Sequence, residues 1–306
     1  MIKVENKFEI DYIDQSSLNE CDRCPAKYMF DRLMGLSLPD STNIAPDYGT
    51  DMHLALPLCY DEDDGCVEHA MEAFCNSWNK RSYGNMDDKR NPASARRSLL
   101  EFHRVRKPSM CPYTVSTLGQ QIEAPTADLI SDNEMPFLID IGGDLCFCGR
   151  IDAPVTMNST QDLWALDYKT ASEVSQRYFN NFANSPQAVG YTLGLQTVTK
   201  QPVSGFIVEA IRTSKKNVET TMHPVFINAH QIDMFITHAN SVAKDILRWN
   251  EEKSWPQKTT GCAPYGMFYQ PGRFCEYRDL CLLGDWKEME KYFVKSEPFH
   301  PFKLRA

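Results

Sequence analysis

Two short stretches constrain this chain more than any other feature: Gly149-Arg150-Ile151-Asp152 and, fifteen residues past that aspartate, Asp167-Tyr168-Lys169. Each falls in an apolar run that reads as a β-strand. The first run, Leu145 to Val155, carries Cys146, Phe147, Ile151 and Val155; the second, Leu163 to Lys169, carries Leu163, Trp164, Leu166 and Tyr168. Between them Met157-Asn158-Ser159-Thr160-Gln161-Asp162 is polar and turn-forming. The simplest reading is a β-hairpin that brings Asp152 beside Asp167. Residues i and i+2 of a strand share a face, so Asp167 and Lys169 point the same way and Asp152 can point there from the neighbouring strand. Two carboxylates and an ammonium on one face make a site for a divalent metal and a polarised water. An Asp and a Lys two apart on a strand more often form a solvated face or a weak surface ion pair. The apolar flanks weigh against that here, because charges on buried strands need a partner or a metal.

The chain has 306 residues, 42% of them hydrophobic, enough for one large domain or two smaller ones with a sizeable core. No run approaches the roughly 20 apolar residues of a membrane span. The start, Met1-Ile2-Lys3-Val4-Glu5-Asn6-Lys7, does not resemble a secretory signal. The expectation is a soluble intracellular protein, cytoplasmic and without a membrane partner, in a setting that could be bacterial or phage. Eleven cysteines is an odd and high count. Without an export signal a disulfide framework is disfavoured, and metal ligation explains the count better. Cys146 and Cys148 flank Phe147 and read as packing; Cys59, Cys66, Cys75 and Cys111 show no ligand-like spacing and read as structural.

A net charge of −9 argues against a broad basic surface for nucleic acid. From Lys80 to Lys107, however, nine basic residues stand against three acidic ones. That stripe reads either as a phosphate-binding track or as a solvated helix face. Trp78, Tyr83 and Phe102 lie in or beside it and could stack on unpaired bases or serve as core, the latter being preferred for Phe102.

Periodicity places a helix over Ser16 to Leu36, a loop over 37–47, and interrupted helices from Gly49 to Lys107. Strands follow over Ile122 to Val155 and Leu163 to Thr170, then a helix over Gln187 to Val198. A second strand pair covers Ser204 to Ile211 and Thr220 to Ile227, and a long amphipathic helix covers His230 to Glu252. Strands and helices alternating around a mixed sheet make the class α/β or α+β. The expected organisation is an N-terminal segment, 1–40; a helical region with the basic stripe, 41–120; a core domain, 121–252; a Cys-rich region, 253–290; and a docking or disordered tail, 291–306.

The order of motifs resembles the RecB-like branch of the PD-(D/E)XK nuclease superfamily, from about Ser16 to Cys281. The family's G-x-x-x-H helix matches Gly49-Thr50-Asp51-Met52-His53. Its G-x-x-D strand matches Gly149 to Asp152, its D/E-x-K strand matches Asp167-Tyr168-Lys169, and its Q-x-x-x-Y helix matches Gln187-Ala188-Val189-Gly190-Tyr191. Each motif alone is weak, but four in the right order are specific. The superfamily's proline is absent, since Ile151 precedes Asp152; RecB-like members commonly lack it. The resemblance implies a restriction-endonuclease-like α/β core, with a central mixed sheet flanked by helices. It implies that Asp152, Asp167, the backbone carbonyl of Tyr168 and His53 hold Mg²⁺ or Mn²⁺. Lys169 would orient or help deprotonate the attacking water, and Gln187 and Tyr191 would contact the scissile strand or steady Lys169. Glu123 resembles a carboxylate on an earlier strand of some relatives. Core or packing roles remain the alternatives for His53, Gln187 and Tyr191.

The cysteines extend the resemblance. Cys21 and Cys24 stand near one end, and Cys262, Cys275 and Cys281 near the other. One cysteine before the core and three after it resembles the iron–sulfur subgroup of RecB-like nucleases, the AddB type and the CRISPR-associated exonucleases. This implies a [4Fe–4S] cluster on Cys24, Cys262, Cys275 and Cys281, with Cys21 spare, pinning the two ends of the chain together beside the catalytic site. The spacing departs from that subgroup, with twelve residues between Cys262 and Cys275; a longer loop adds little closure entropy. Zn²⁺ on Cys21, Cys24, Cys275 and Cys281 is the rival. The expected activity is a metal-dependent DNA exonuclease acting on single strands or ends, with any unwinding left to a helicase or recombination partner. The alternatives are an endonuclease or end-processing nuclease of the same chemistry, and a non-catalytic iron–sulfur or zinc DNA-binding subunit.

Overall fold

The computed structural model describes residues 1–39, 44–80, 88–116, 134–142, 145–213, 218–258, 275–282 and 286–298. In chain order its first part runs β1 (Ile2–Lys3), β2 (Tyr12–Asp14), α1 (Gln15–Arg23), α2 (Pro25–Tyr28), a π-helical turn (Met29–Leu33) and β3 (Leu36–Ser37). It continues through α3 (Ile44–Ala55), a 3₁₀ turn (Leu56–Cys59), α4 (Cys66–Lys80), α5 (Pro92–Arg106), β4 (Tyr113–Val115) and β5 (Met135–Asp140). Then come β6 (Cys146–Ile151), β7 (Ala153–Met157), β8 (Leu163–Ala171), α6 (Gln176–Asn180), α7 (Pro186–Thr199), β9 (Val203–Arg212) and β10 (Glu219–Phe226). The last are α8 (Ala229–Glu251), β11 (Ser254–Trp255), α9 (Arg278–Leu282), α10 (Trp286–Glu290) and β12 (Val294–Lys295). The chain divides into two compact units, one of residues 1–42, 138–149 and 233–306, the other of 43–137 and 150–232.

The second unit is built on a five-stranded sheet in the order β10-β9-β8-β7-β4. β7 and β8 form the expected hairpin, antiparallel with Ala153 opposite Leu166 and Val155 opposite Trp164. β9 runs parallel to β8 with Asp167 opposite Val208, and β10 returns antiparallel with His223 opposite Val208. The expected strand from Leu145 to Val155 is interrupted at Asp152, and β6 and β7 belong to different sheets. Alternation decides which face each side chain takes. Trp164, Leu166 and Tyr168 point into a buried layer shared with Tyr48 and Met52 of α3, Phe74 and Trp78 of α4, and Leu99 and Phe102 of α5. Ala165, Asp167 and Lys169 therefore point to the opposite face, where α7 packs; its Tyr191 ring lies 6.0 Å from that of Phe206 on β9.

Local sequence sets the helix starts that matter here. Asn91 caps α5 by accepting from Ser94 N, and Ser185 caps α7 by accepting from Ala188 N, each followed by a proline in the first turn. Capping α7 at Ser185 puts Gln187 in its first turn. Gly194 lets α7 approach the Phe137 ring closely, since a Cβ there would meet ring carbons at 2.6 to 2.7 Å.

In the first unit the N- and C-terminal segments pair. β1 lies antiparallel to β11, and β3 to β12. Ala26 N donates to the Pro256 carbonyl at 3.0 Å, Lys27 reaches Glu276 at 3.4 Å, and Gln257 donates to the Cys281 carbonyl at 3.0 Å. The helix expected over Ser16 to Leu36 breaks at Cys24, whose extended backbone separates α1 from Pro25 at the start of α2. No helix among the described residues is long and apolar enough to cross a membrane.

Candidate active site

The hairpin register, continued one residue past β7, stands Asp152 opposite Asp167. The strand break at Asp152 frees its carboxylate from the β ladder, and Oδ2 accepts from Tyr168 N at 2.7 Å. His53, on α3, brings Nδ1 to 3.3 Å from the same oxygen. Its ring meets that of Tyr168 edge-on at 5.9 Å. Asp167 is held from two sides: Gln187 Nε2 donates to Oδ1 at 2.7 Å, and Lys169 Nζ lies 2.5 Å from Oδ2. The structure thus brings His53, Asp152, Asp167, Lys169 and Gln187 together from one helix, the strand break, one strand and a second helix. Both carboxylates are buried, Asp152 at 7% and Asp167 at 2% exposure, while Lys169 and His53 are half-buried.

Burial and mutual repulsion make the two aspartates unequal. Burial pushes the Asp167 carboxyl up to about 6 against the pull of Lys169, and the Asp152 charge adds to the rise. Burial also works against the charge of Asp152, but His53, Lys169 and the Tyr168 N–H outweigh it and hold that carboxyl below the usual range. His53 is the mirror case: burial opposes its protonation, the Asp152 carboxylate outweighs burial, and the imidazole is raised above its ordinary value.

Behind Tyr168 lies a buried polar chain. Its hydroxyl donates to Tyr60 at 3.1 Å, Tyr60 and Tyr113 share a hydrogen bond of 2.8 Å, and Tyr113 donates to Glu209 at 2.7 Å. Glu209, fully buried on β9, receives Arg106 through Nε and Nη2, each at 2.9 Å. This two-pronged ion pair anchors the residue whose backbone N–H orients Asp152.

Sequence reasoning missed one carboxylate. Glu134 precedes β5 and feels the charges of Asp152, His53 and Asp167; burial raises its carboxyl, while Arg150, 3.0 Å away, pulls it down. Glu123, the carboxylate singled out from the sequence, lies outside the described residues, as do Arg81 and Tyr83. The basic stripe is partly spent within the fold. Arg106 is buried on Glu209, Arg96 pairs with Glu68, and Arg104 pairs with Glu101. Trp78 and Phe102 are core, 3% and 0% exposed, so neither is a surface for bases. Tyr191 packs its ring 5.5 Å from that of Phe137, whereas Gln187 reaches Asp167 directly.

Two observations bear on a metal. Asp167 Oδ2 is buried and makes no directed hydrogen bond, only the charge contact with Lys169, so a hard cation suits it. Among the described residues, however, no three His, Cys, Asp or Glu side chains already form a group that could hold a metal. The side chains have the donor chemistry, and the lysine and glutamine occupy the carboxylate oxygens. The same statement covers Cys24, Cys275 and Cys281; Cys262 lies outside the described residues. No disulfide joins the described cysteines. Burial holds the Cys21 thiol well above its ordinary range, a poor state for a thiolate ligand. Cys66 Sγ stands 3.3 Å from His103 Nδ1, and His103 Nε2 stands 2.9 Å from Asp64. That trio is no activated nucleophile: His103 Nδ1 also faces the Cys59 carbonyl at 3.1 Å, and burial pushes the Cys66 thiol up.

A mixed sheet flanked by helices, with an Asp-x-Lys strand beside a second buried carboxylate, is a restriction-endonuclease-like arrangement. The profile of the PD-(D/E)XK nuclease superfamily matches residues 13–282, and the chain belongs to that superfamily. Its members generally use divalent metals such as Mg²⁺ or Mn²⁺. The fold is similar to the crystal structure of a "Putative exonuclease" from Eubacterium rectale, with a TM-score of 0.52 and 12% identity, covering 85% of this chain and 90% of that one. No curated protein matches the sequence significantly.

Proposed function

We propose that this protein is a divalent-metal-dependent deoxyribonuclease that degrades DNA from ends or as single strands. The observation that carries the reading is the buried convergence of Asp152 and Asp167 with Lys169 and His53 on the β7/β8 hairpin. Asp152, Asp167, His53 and the Tyr168 carbonyl would hold Mg²⁺ or Mn²⁺. A cation there would supply positive charge to the scissile phosphate and lower the pKa of the attacking water. Lys169 carries its ammonium on the same strand face as Asp167, where it can orient that water and offset charge building on the phosphate oxygens. Gln187 fixes the Asp167 rotamer through Oδ1, and the Tyr168 N–H fixes that of Asp152. His53 balances the Asp152 charge when no cation is bound.

The exonuclease reading draws support from the name of the Eubacterium rectale structure. The test is linear against covalently closed circular DNA, single- and double-stranded, with Mg²⁺ or Mn²⁺. An exonuclease consumes the linear forms and spares the circles. Nicking or linearisation of the circles favours the endonuclease alternative. No cleavage of any form removes the nuclease reading and leaves a non-catalytic DNA-binding subunit.

We further propose a [4Fe–4S] cluster on Cys24, Cys262, Cys275 and Cys281, with Zn²⁺ as the rival. The support is the cysteine spacing together with the contacts that tie Ala26 to Pro256 and Lys27 to Glu276. Anaerobically purified protein with a broad visible absorbance and bound iron would support the cluster. Colourless protein with stoichiometric zinc would support the rival, and protein without either metal would remove both.

A further inference from the structure

The face of the sheet that bears Asp167 continues across two more strands to a cavity. In register, Asp167 on β8 stands opposite Val208 on β9, and Val208 stands opposite His223 on β10. Directly paired residues share a face, and neighbouring strands are about 4.8 Å apart. His223 therefore lies roughly 10 Å from Asp167 on the same face, two strand spacings across. There a cavity of about 530 Å³ opens at the outer strand β10. Its size falls within the roughly 300–1,000 Å³ of small-ligand sites.

The chemistry of that cavity is uniform. Phe179 and His223 supply rings, and Asn180, Asn184 and Gln231 supply amides. No Asp, Glu, Lys or Arg is among the described residues that line it. The Phe179 ring stacks on one face of His223, 4.5 Å away at 16°, which fixes the imidazole plane. Asn180 and Asn184 accept through their side-chain oxygens, from Gln176 at 2.8 Å and Gln231 at 2.9 Å. That leaves their NH₂ ends to offer to a ligand. Burial pushes His223 toward its neutral form. Such a lining suits a flat, uncharged, hydrogen-bonding ring and offers nothing to a phosphate.

α6 connects the cavity to the candidate active site. Tyr178 lies close enough to Asp167 for burial and that charge to raise its hydroxyl to about 12. The next residue, Phe179, lines the cavity, and Tyr178 also packs against Phe182 at 5.5 Å. Arg177, exposed on the same short helix, carries a positive charge for the backbone of a strand passing over it.

We propose that this cavity is a nucleobase site for single-stranded DNA, taking an unpaired base a nucleotide or two from the phosphodiester at Asp152 and Asp167. The inference rests on the nuclease reading and deepens it by making the strand single at that point. A duplex keeps its bases stacked on one another, so only an unpaired base can enter. Stacking on aromatic side chains with little sequence preference is how proteins hold such strands.

The experiment uses the full chain with Asp167→Asn, to bind without cutting, and fluorescence anisotropy with a labelled single strand. An abasic site is walked along that strand. His223→Ala should weaken binding by roughly ten-fold, the scale of one lost base–aromatic stack. His223→Phe should restore it. In the parent, one abasic position near the cut should weaken binding by a similar factor, and that position should have no further effect in His223→Ala. Losses that add independently, or a His223→Ala chain that binds every strand as the parent does while melting at the parent temperature, would overturn the proposal. Its failure is distinct from that of the nuclease reading. If the unsubstituted chain cleaves DNA but His223→Ala binds normally, only the base site falls. If it neither cleaves nor binds DNA, the nuclease reading falls with it.

Discussion

Glu209→Gln tests whether the polar chain behind the site holds the second unit together. Glu209 is fully buried, accepts twice from Arg106 at 2.9 Å, and accepts from Tyr113 at 2.7 Å. Glutamine keeps the shape and one acceptor oxygen but leaves the buried Arg106 guanidinium without a counter-charge. Breaking one side of a buried ion pair costs about 3–5 kcal/mol. The retained acceptor points to the lower end, about 3 kcal/mol. For a unit of this size 1 kcal/mol moves the melting temperature by about 2–4 °C, so the transition should fall by roughly 6–12 °C. The assay is thermal melting followed by circular dichroism at neutral pH, run on Glu209→Gln, Glu209→Leu, Arg106→Met and the double replacement Arg106→Met/Glu209→Leu. An apolar pair of similar volume has no uncompensated charge to bury, so the double variant should recover most of the loss. Equal melting of Glu209→Gln and the parent would refute the reasoning. A double variant that loses the sum of the two single losses would do the same, because it would show that Glu209 and Arg106 act independently.

Gly194→Ala should destabilise the protein by about 1–2 kcal/mol although alanine is the better helix former, because the Phe137 ring leaves no room for a Cβ; chemical denaturation checks the sign, and a more stable variant would show that the ring moves cheaply. In metal-free protein, Asp167 with its carboxyl raised to about 6 contributes stability that is full below about pH 4 and is lost as pH rises through about 6. His53, also raised, extends that loss above its ordinary range near 6.5. Melting curves in chelator should therefore show Asp167→Asn more stable than the parent at about pH 8, by on the order of 1–3 kcal/mol. A variant less stable than the parent under those conditions would contradict the assignment. Glu134→Gln should weaken Mn²⁺ binding by less than ten-fold in calorimetry, since the carboxylate acts on the site through its field; abolished binding would make it a direct ligand.

The hairpin and its two flanking motifs were legible because alternation and turn chemistry are local. Leu163 to Lys169 shows a period of two, Ser185-Pro186 announces a helix start, and Gln187 then has to lie beside the sheet. The break at Asp152 was not legible. The apolar run continues through it, and the change of sheet depends on partners far along the chain. The Lys80 to Lys107 stripe was only partly legible for a related reason. A run of charges says nothing about Glu209, 103 residues beyond Arg106. A signal was nevertheless present on the other side: a glutamate inside Phe206-Ile207-Val208-Glu209-Ala210-Ile211 has no solvent to turn to and must have a buried partner. Glu134 had no such signal, since it stands outside every motif and its place near Asp152 is a product of tertiary structure. The aromatic and amide residues of the β10 cavity were invisible for the same reason: Phe179 on α6 and His223 on β10 are far apart in sequence and meet only through tertiary packing.

The account stands or falls on the buried carboxylate pair. The most direct measurement follows cleavage of end-labelled single- and double-stranded DNA with Mg²⁺ or Mn²⁺ by the unsubstituted chain, Asp167→Asn and Lys169→Met, alongside Mn²⁺ titration calorimetry of each. The account predicts metal-dependent cleavage by the parent. It predicts cleavage lost with metal binding weakened in Asp167→Asn, and cleavage lost with metal binding retained in Lys169→Met. Undiminished cleavage by Asp167→Asn would contradict it.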